Sequence, residues 1–178
     1  MFAKPPTAET DHANYVFVLI MERLTFTLFL ALTGCFSFAQ DLTDEHMYMD
    51  AFVVIADTSQ NYYELRSEMF VLSEKLDLEI DTMGRGFDEE QKLIALPHDD
   101  EDEIYAGDYL PRRSPSGTLS LEYLRIYTEG NASSYGTIAL VAAITPDRAE
   151  ADQLLAKVRT LAKDAYILPS RIYMGCMH

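Results

Sequence analysis

The chain has 178 residues, with 29 Asp and Glu against 14 Lys and Arg, and a net charge of −15. So acidic a chain repels nucleic acid phosphates and anionic lipid headgroups, which excludes DNA, RNA and the membrane surface as expected partners. It leaves cationic partners and divalent metals open, with solubility alone as the plainer reading.

The first feature in chain order is Leu24–Ala39, LTFTLFLALTGCFSFA, a stretch without charge that follows Arg23. Sixteen residues are short of the ~20 needed to span a bilayer core, so the length fits the apolar region of an export signal. Ser37-Phe38-Ala39 places small residues at −3 and −1 of a cleavage site, which makes Gln40 the expected mature N-terminus. Met21 stands just before Glu22-Arg23, so residues 21–39 read as the signal and residues 1–20 as an extended or mis-assigned start. Two alternatives stay open. Leu32-Thr33-Gly34-Cys35 resembles a lipobox, in which Cys35 would carry lipid and anchor the chain to the envelope. The stretch could also remain as a hydrophobic helix. The expected location is periplasmic or secreted, with no span in the mature chain.

Residues 40–178 suffice for one domain with a proper core. They carry 26 acids and 12 bases, a net charge of −14. Only Cys176 remains there, so no internal disulfide is available. Its readings are a buried thiol, an intermolecular disulfide, or a metal contact shared with His178.

Ala51–Ala56 is a continuous apolar run, which predicts a strand covered on both faces. Residues 57–61 offer several helix caps. Leu65, Met69, Leu72 and Leu76 then recur at helical spacing, and a second strand is expected over 78–83. Gly84-Arg85-Gly86 reads as a turn, and residues 92–96 as a short strand stopped by Pro97. The acidic run follows, from Asp99 to Glu103. Residues 119–127 read as a helix, because Leu121, Leu124 and Tyr127 share a helical face. Asn131-Ala132-Ser133 has the form of a glycosylation acceptor, relevant only in a eukaryotic secretory route. Residues 137–144 predict a second apolar strand. Thr145-Pro146 predicts a helix start, and Ala151, Leu154, Leu155, Val158, Leu161 and Ala162 its apolar stripe. Residues 165–168 and 172–174 complete a strand, with Pro169 at a bend or edge.

Two βαβ halves thus flank a long middle insertion, residues 84–136. The expected fold is α+β and ferredoxin-like, a mostly antiparallel sheet with both helices on one face; a small parallel α/β sheet is the alternative. No glycine-rich nucleotide fingerprint follows the first strand.

The order of elements resembles the SPOR domain, a bacterial cell-envelope module. Phe52-Val53-Val54-Ile55 matches its opening strand, and Ala151-Asp152, Leu154-Leu155 and Ala165-Tyr166-Ile167 are similar to its second helix and strand. The Gln and Gly-Ser-Phe that end the family's first strand are replaced by Ala56-Asp57-Thr58, and the family has no such middle insertion. The resemblance implies peptidoglycan glycan binding on the sheet face opposite the helices.

Three constellations could carry chemistry. Asp99, Asp100 and Asp102 could chelate calcium, though they lack the order of an EF-hand loop; a solvated loop is the plainer reading. His46, His98 and His178 lie far apart in the sequence, and no G-x-S-x-G or H-E-x-x-H motif is present, so the chain reads as non-catalytic and without a cofactor, an uncharacterised hydrolase being the remote option. Tyr105, Tyr109, Arg112, Arg113, Tyr123, Arg125 and Tyr127 combine flat rings with guanidinium forks, a set suited to peptidoglycan or an envelope protein. The competing expectation is that these tyrosines cover the core and the arginines pair with nearby acids.

Overall fold

The computed structural model describes residues 47–128 and 136–175. The export segment with Cys35, His46, the 131–133 acceptor, Cys176 and His178 lie outside the described residues.

Four strands form one antiparallel sheet in the order β4-β5-β1-β6: β1 (Tyr48–Ser59), β4 (Ser120–Tyr123), β5 (Ile138–Thr145) and β6 (Tyr166–Tyr173). Helices α1 (Tyr62–Leu76) and α2 (Arg148–Val158) follow β1 and β5. The order is that of two interleaved βαβ units, so the chain has the expected α+β, ferredoxin-like architecture. Strand β1 sits inside the sheet, paired with β5 and β6. Its apolar run follows from that place: Val54 and Ala56 pack with the helices, while Ala51, Val53 and Ile55 belong to a second cluster on the opposite face.

Both helices cover one face. Leu65, Met69 and Leu72 of α1 and Ala151 and Val158 of α2 join Leu140 and Ala142 of β5 in a single core. Asn61 caps α1, its side chain accepting from the amides of Tyr63 and Glu64. The cap of α2 is Asp147, which accepts from Ala149 and Glu150. Thr145, expected to cap, is instead the last residue of β5; its hydroxyl accepts from the Asp147 amide at 3.1 Å. Helix α2 closes at Val158, so Leu161 and Ala162 leave the expected stripe and stand in the following turn.

Two register shifts interrupt the β1–β5 ladder, between Val54 and Ile55 and between Ile55 and Asp57. They leave Ala142 and Ala56 without cross-strand partners, and alanine is small enough to be squeezed out at a bulge.

The middle of the chain departs from expectation. Residues 78–83 form no strand and contribute one parallel bridge, Ile80 to Leu119. The strand that completes the first half is β4, which the expected helix over 119–127 obscured. Only Leu124–Ile126 turns helically there, as a short 3-10 segment. The cause is burial: Ser120, Leu121 and Glu122 are all enclosed, whereas an amphipathic helix would turn one of these side chains to solvent, and the ladder to β5 carries their backbone bonds. Strands β2 (Gly86–Asp88) and β3 (Leu93–Ala95) form a separate hairpin, so the expected short strand over 92–96 is present. Phe87 stacks on Tyr62 of α1, with centroids 4.9 Å apart, and the Tyr123 hydroxyl accepts from the Ile94 amide at 2.9 Å.

Candidate functional site

The tyrosine and arginine set divides into an interior part and a surface part. The interior part is centred on Glu122 of β4, which is 0% exposed. Its carboxylate accepts two bonds from the Arg85 guanidinium, at 2.5 and 2.8 Å. It also accepts from the Tyr109 hydroxyl at 2.6 Å and from the Arg112 amide at 3.3 Å. A bidentate guanidinium plus two further donors satisfies the oxygens of a carboxylate removed from water. Burial pushes the Arg85 guanidinium down, but the hydrogen bonds and charge of Glu122 outweigh it and hold the group above its ordinary value.

Arg112 lies beside this pair with neutral acceptors: the carbonyls of Thr118 and Ser116 and the Ser120 hydroxyl, at 2.6–2.8 Å. Its Nε is buried without a hydrogen bond, and burial lowers the affinity of the guanidinium for its proton. Tyr127 donates to the Arg112 carbonyl at 3.1 Å. Burial, then the charge of Glu122, pushes the phenols of Tyr109 and Tyr127 well up, so both stay protonated. These groups bind each other, and the cluster fastens the segment 81–118 onto β4. As a ligand site it is closed.

The remaining members are dispersed. Tyr105 sits half-buried in the acidic loop, in a turn where its amide donates to the Asp102 carbonyl. Tyr123 packs edge-on against Tyr109 at 4.8 Å, and Arg125 lies over the Tyr123 ring at 5.6 Å. In the acidic run, Asp100 and Asp102 accept backbone bonds from Asp102 and Ile104. Among the described residues no group of three or more His, Cys, Asp or Glu side chains is placed to hold a metal ion, so Asp99, Asp100 and Asp102 do not converge. His98 meets Asp88 at 3.2 Å and Gln91 at 3.1 Å on the surface.

Arg113 belongs elsewhere, to a surface strip that the sequence reading missed. Tyr48 opens β1 and Tyr173 ends β6, and the antiparallel register sets them directly opposite each other. Their rings are 5.3 Å apart, tilted by 60°, and 41% and 38% exposed. Arg171 lies over Tyr48 at 4.8 Å and Arg113 over Tyr173 at 5.4 Å. Arg171 faces Asp50 across the ladder. The result is an exposed row of arginine, ring, ring, arginine. Seating a guanidinium on a ring fixes its plane and leaves donor edges outward. The signal was available only as alternation at the two strand ends, and nothing in the sequence pairs positions 48 and 173 before the register is known.

One further titratable pair lies apart from both. Glu68 of α1 stands beside Asp57, and its carboxyl is raised by burial first, then by the charge and hydrogen bond of Asp57 and the charge of Glu64. The raised value has a definite sign in stability. The folded chain binds this proton more tightly than the unfolded one, so stability falls as pH rises from the ordinary glutamate range through the raised value. Glu68→Gln, which mimics the protonated form, is expected to melt above the wild type at neutral pH. The difference should close below about pH 4. Thermal melts at both pH values check this.

Comparison with protein-family models, with curated proteins and with solved structures returns no match. The class is therefore the one the fold defines: an acidic α+β domain of ferredoxin-like topology. No described helix is long and apolar enough to cross a membrane.

Proposed function

We propose that this chain is an exported, non-catalytic binding module of the bacterial cell envelope, akin to SPOR domains, and that its ligand is peptidoglycan glycan. The observation that carries the reading is the Arg171–Tyr48–Tyr173–Arg113 strip. Tyrosine offers a flat apolar face and a polar tip to a sugar ring, and arginine forks onto carboxylates, which peptidoglycan bears on its lactyl and peptide groups. The apolar segment 24–39 supports delivery to the envelope.

The strip also shifts the expected contact surface. The sheet face opposite the helices is lined by Val53, Ile55, Ala139 and Val141, each 0% exposed. Buried aliphatic side chains offer no hydrogen bonds to a glycan, which supports the strip at the sheet's end as the contact.

The test is retention on purified peptidoglycan sacculi. Wild type is expected to sediment with them, and Tyr48→Ala with Arg171→Ala should reduce retention by about tenfold, since such exposed anchors contribute on the order of 0.5–1 kcal/mol each. No sedimentation of the wild type, or equal sedimentation of the variant, rejects the glycan reading. The exposed acidic loop over 99–103 favours a second reading, a domain that meets a basic protein partner; capture that weakens steeply with salt would favour it.

A further inference from the structure

A cavity of about 340 Å³ opens between the end of β1, one side of α1 and the loop joining α2 to β6. That volume is at the small end of the range for ligand pockets. Its apolar walls come from three elements: Ala56 of β1, Val71 and Leu72 of α1, and Leu161 and Ala162 of the loop. Val71 is 51% and Leu161 45% exposed. Two large aliphatic side chains from separate elements thus border one open space, and an occupant would remove both from water.

The polar lining has a definite sign. Asp57, Glu68 and Asp164 face a single cation, Lys163. Asp57 reaches Glu68 because the bulge at Ala56 breaks the alternation of β1, which re-aims the side chain that follows. Two carboxyl groups within hydrogen-bonding reach repel when both are ionised, and a cation between them relieves that repulsion. Calcium needs six to eight oxygens brought together at short range, and among the described residues no His, Cys, Asp or Glu side chains are grouped to hold a metal. Half-apolar walls and a carboxyl pair are matched by one compact cation on a short hydrocarbon chain.

We propose that this cavity binds a primary alkylamine, with the ammonium between Asp57 and Glu68 and the methylene chain along Val71, Leu72 and Leu161. An ammonium has three donors and no acceptor, which suits two carboxyl groups of which only a protonated Glu68 could otherwise donate to the other. The methylenes would lie on the apolar wall as the stem of a lysine does on a protein surface. The same chemistry is available from a free diamine and from a lysine-type side chain of a peptide.

The experiment is a titration of the described domain within the full chain, followed by amide NMR shifts, using 1,5-diaminopentane, Nα-acetyl-lysine methylamide and pentanol as probes. Both amines are expected to shift Ser67, Val71 and Leu161 saturably, and pentanol is expected to bind more weakly by about tenfold, the effect of losing a charged hydrogen bond. Binding of the diamine alone assigns a free amine; binding of both admits the peptide side chain. Asp57→Asn and Glu68→Gln should each weaken the amines about tenfold while circular dichroism confirms the fold. Tyr48→Ala should leave amine binding unchanged, which separates this site from the glycan strip. Absence of saturable shifts with either amine overturns the proposal, as does equal affinity for pentanol or for both carboxamide variants.

Discussion

Replacing Glu122 with alanine is expected to cost about 3–5 kcal/mol of folding stability, the range for breaking a buried ion pair from one side. The loss is not that of one contact. Arg85 would keep its guanidinium in the interior with only the carbonyls of Thr82 and Leu110 as acceptors. The Tyr109 hydroxyl and the Arg112 amide would lose their acceptor together. Unpartnered buried donors carry their full desolvation cost. Urea unfolding should show the midpoint falling sharply, and a cost below about 1 kcal/mol would refute a structural role for the cluster. A second variant sharpens the result. Arg85→Met combined with Glu122→Leu removes both members of the ion pair, and it should be less damaging than Glu122→Ala alone, because Arg85 is no longer left charged in the interior without its carboxylate.

Leu140→Ala should cost about 2–5 kcal/mol. Leu140 stands on β5, is 0% exposed, and belongs to the core formed with α1 and α2. Its neighbours come from elements fixed by the sheet ladder and by two capped helices, so the walls have little freedom to collapse into the space. The informative comparison is Leu161→Ala. The same atoms are removed, but Leu161 is 45% exposed, and such surface truncations stay within about 0.5 kcal/mol. Calorimetric or denaturant melts of the two variants measure the difference directly; equal costs would contradict the placement of β5 in the core.

Elements whose pattern answers to one environment were legible in the sequence. The run at 51–56 is apolar on both sides because β1 is paired on both edges and packed on both faces. The stripe Leu65, Met69, Leu72 belongs to a helix with one buried side. Strand β4 was hidden for a physical reason: four residues are too few to establish a period, and the 3-10 turn after it places Leu121, Leu124 and Tyr127 in helix-like spacing. Glu122 deepened the error, since a glutamate reads as solvent-facing until its partner is known, and Arg85 lies far back in the chain. The same limit governed the site. Tyr109, Arg112, Tyr123 and Tyr127 lie within one short stretch of sequence. Only packing decides whether such residues face a ligand or each other, and here they face each other. Tyr48 and Tyr173 posed the reverse problem, being adjacent through strand register alone.

The placement of β1 also has a consequence in time. It is the first strand of the domain to be synthesised, and its two partners are β5 and β6, the last two. Tyr48 must wait for Tyr173, an interval on the order of ten seconds at ordinary rates of chain elongation. Until then a twelve-residue strand, apolar on both sides over 51–56, has no edge to join. Closure by such distant segments is slow. The same delay exposes β1 to self-association, so slow synthesis or C-terminal truncation should be felt first as aggregation.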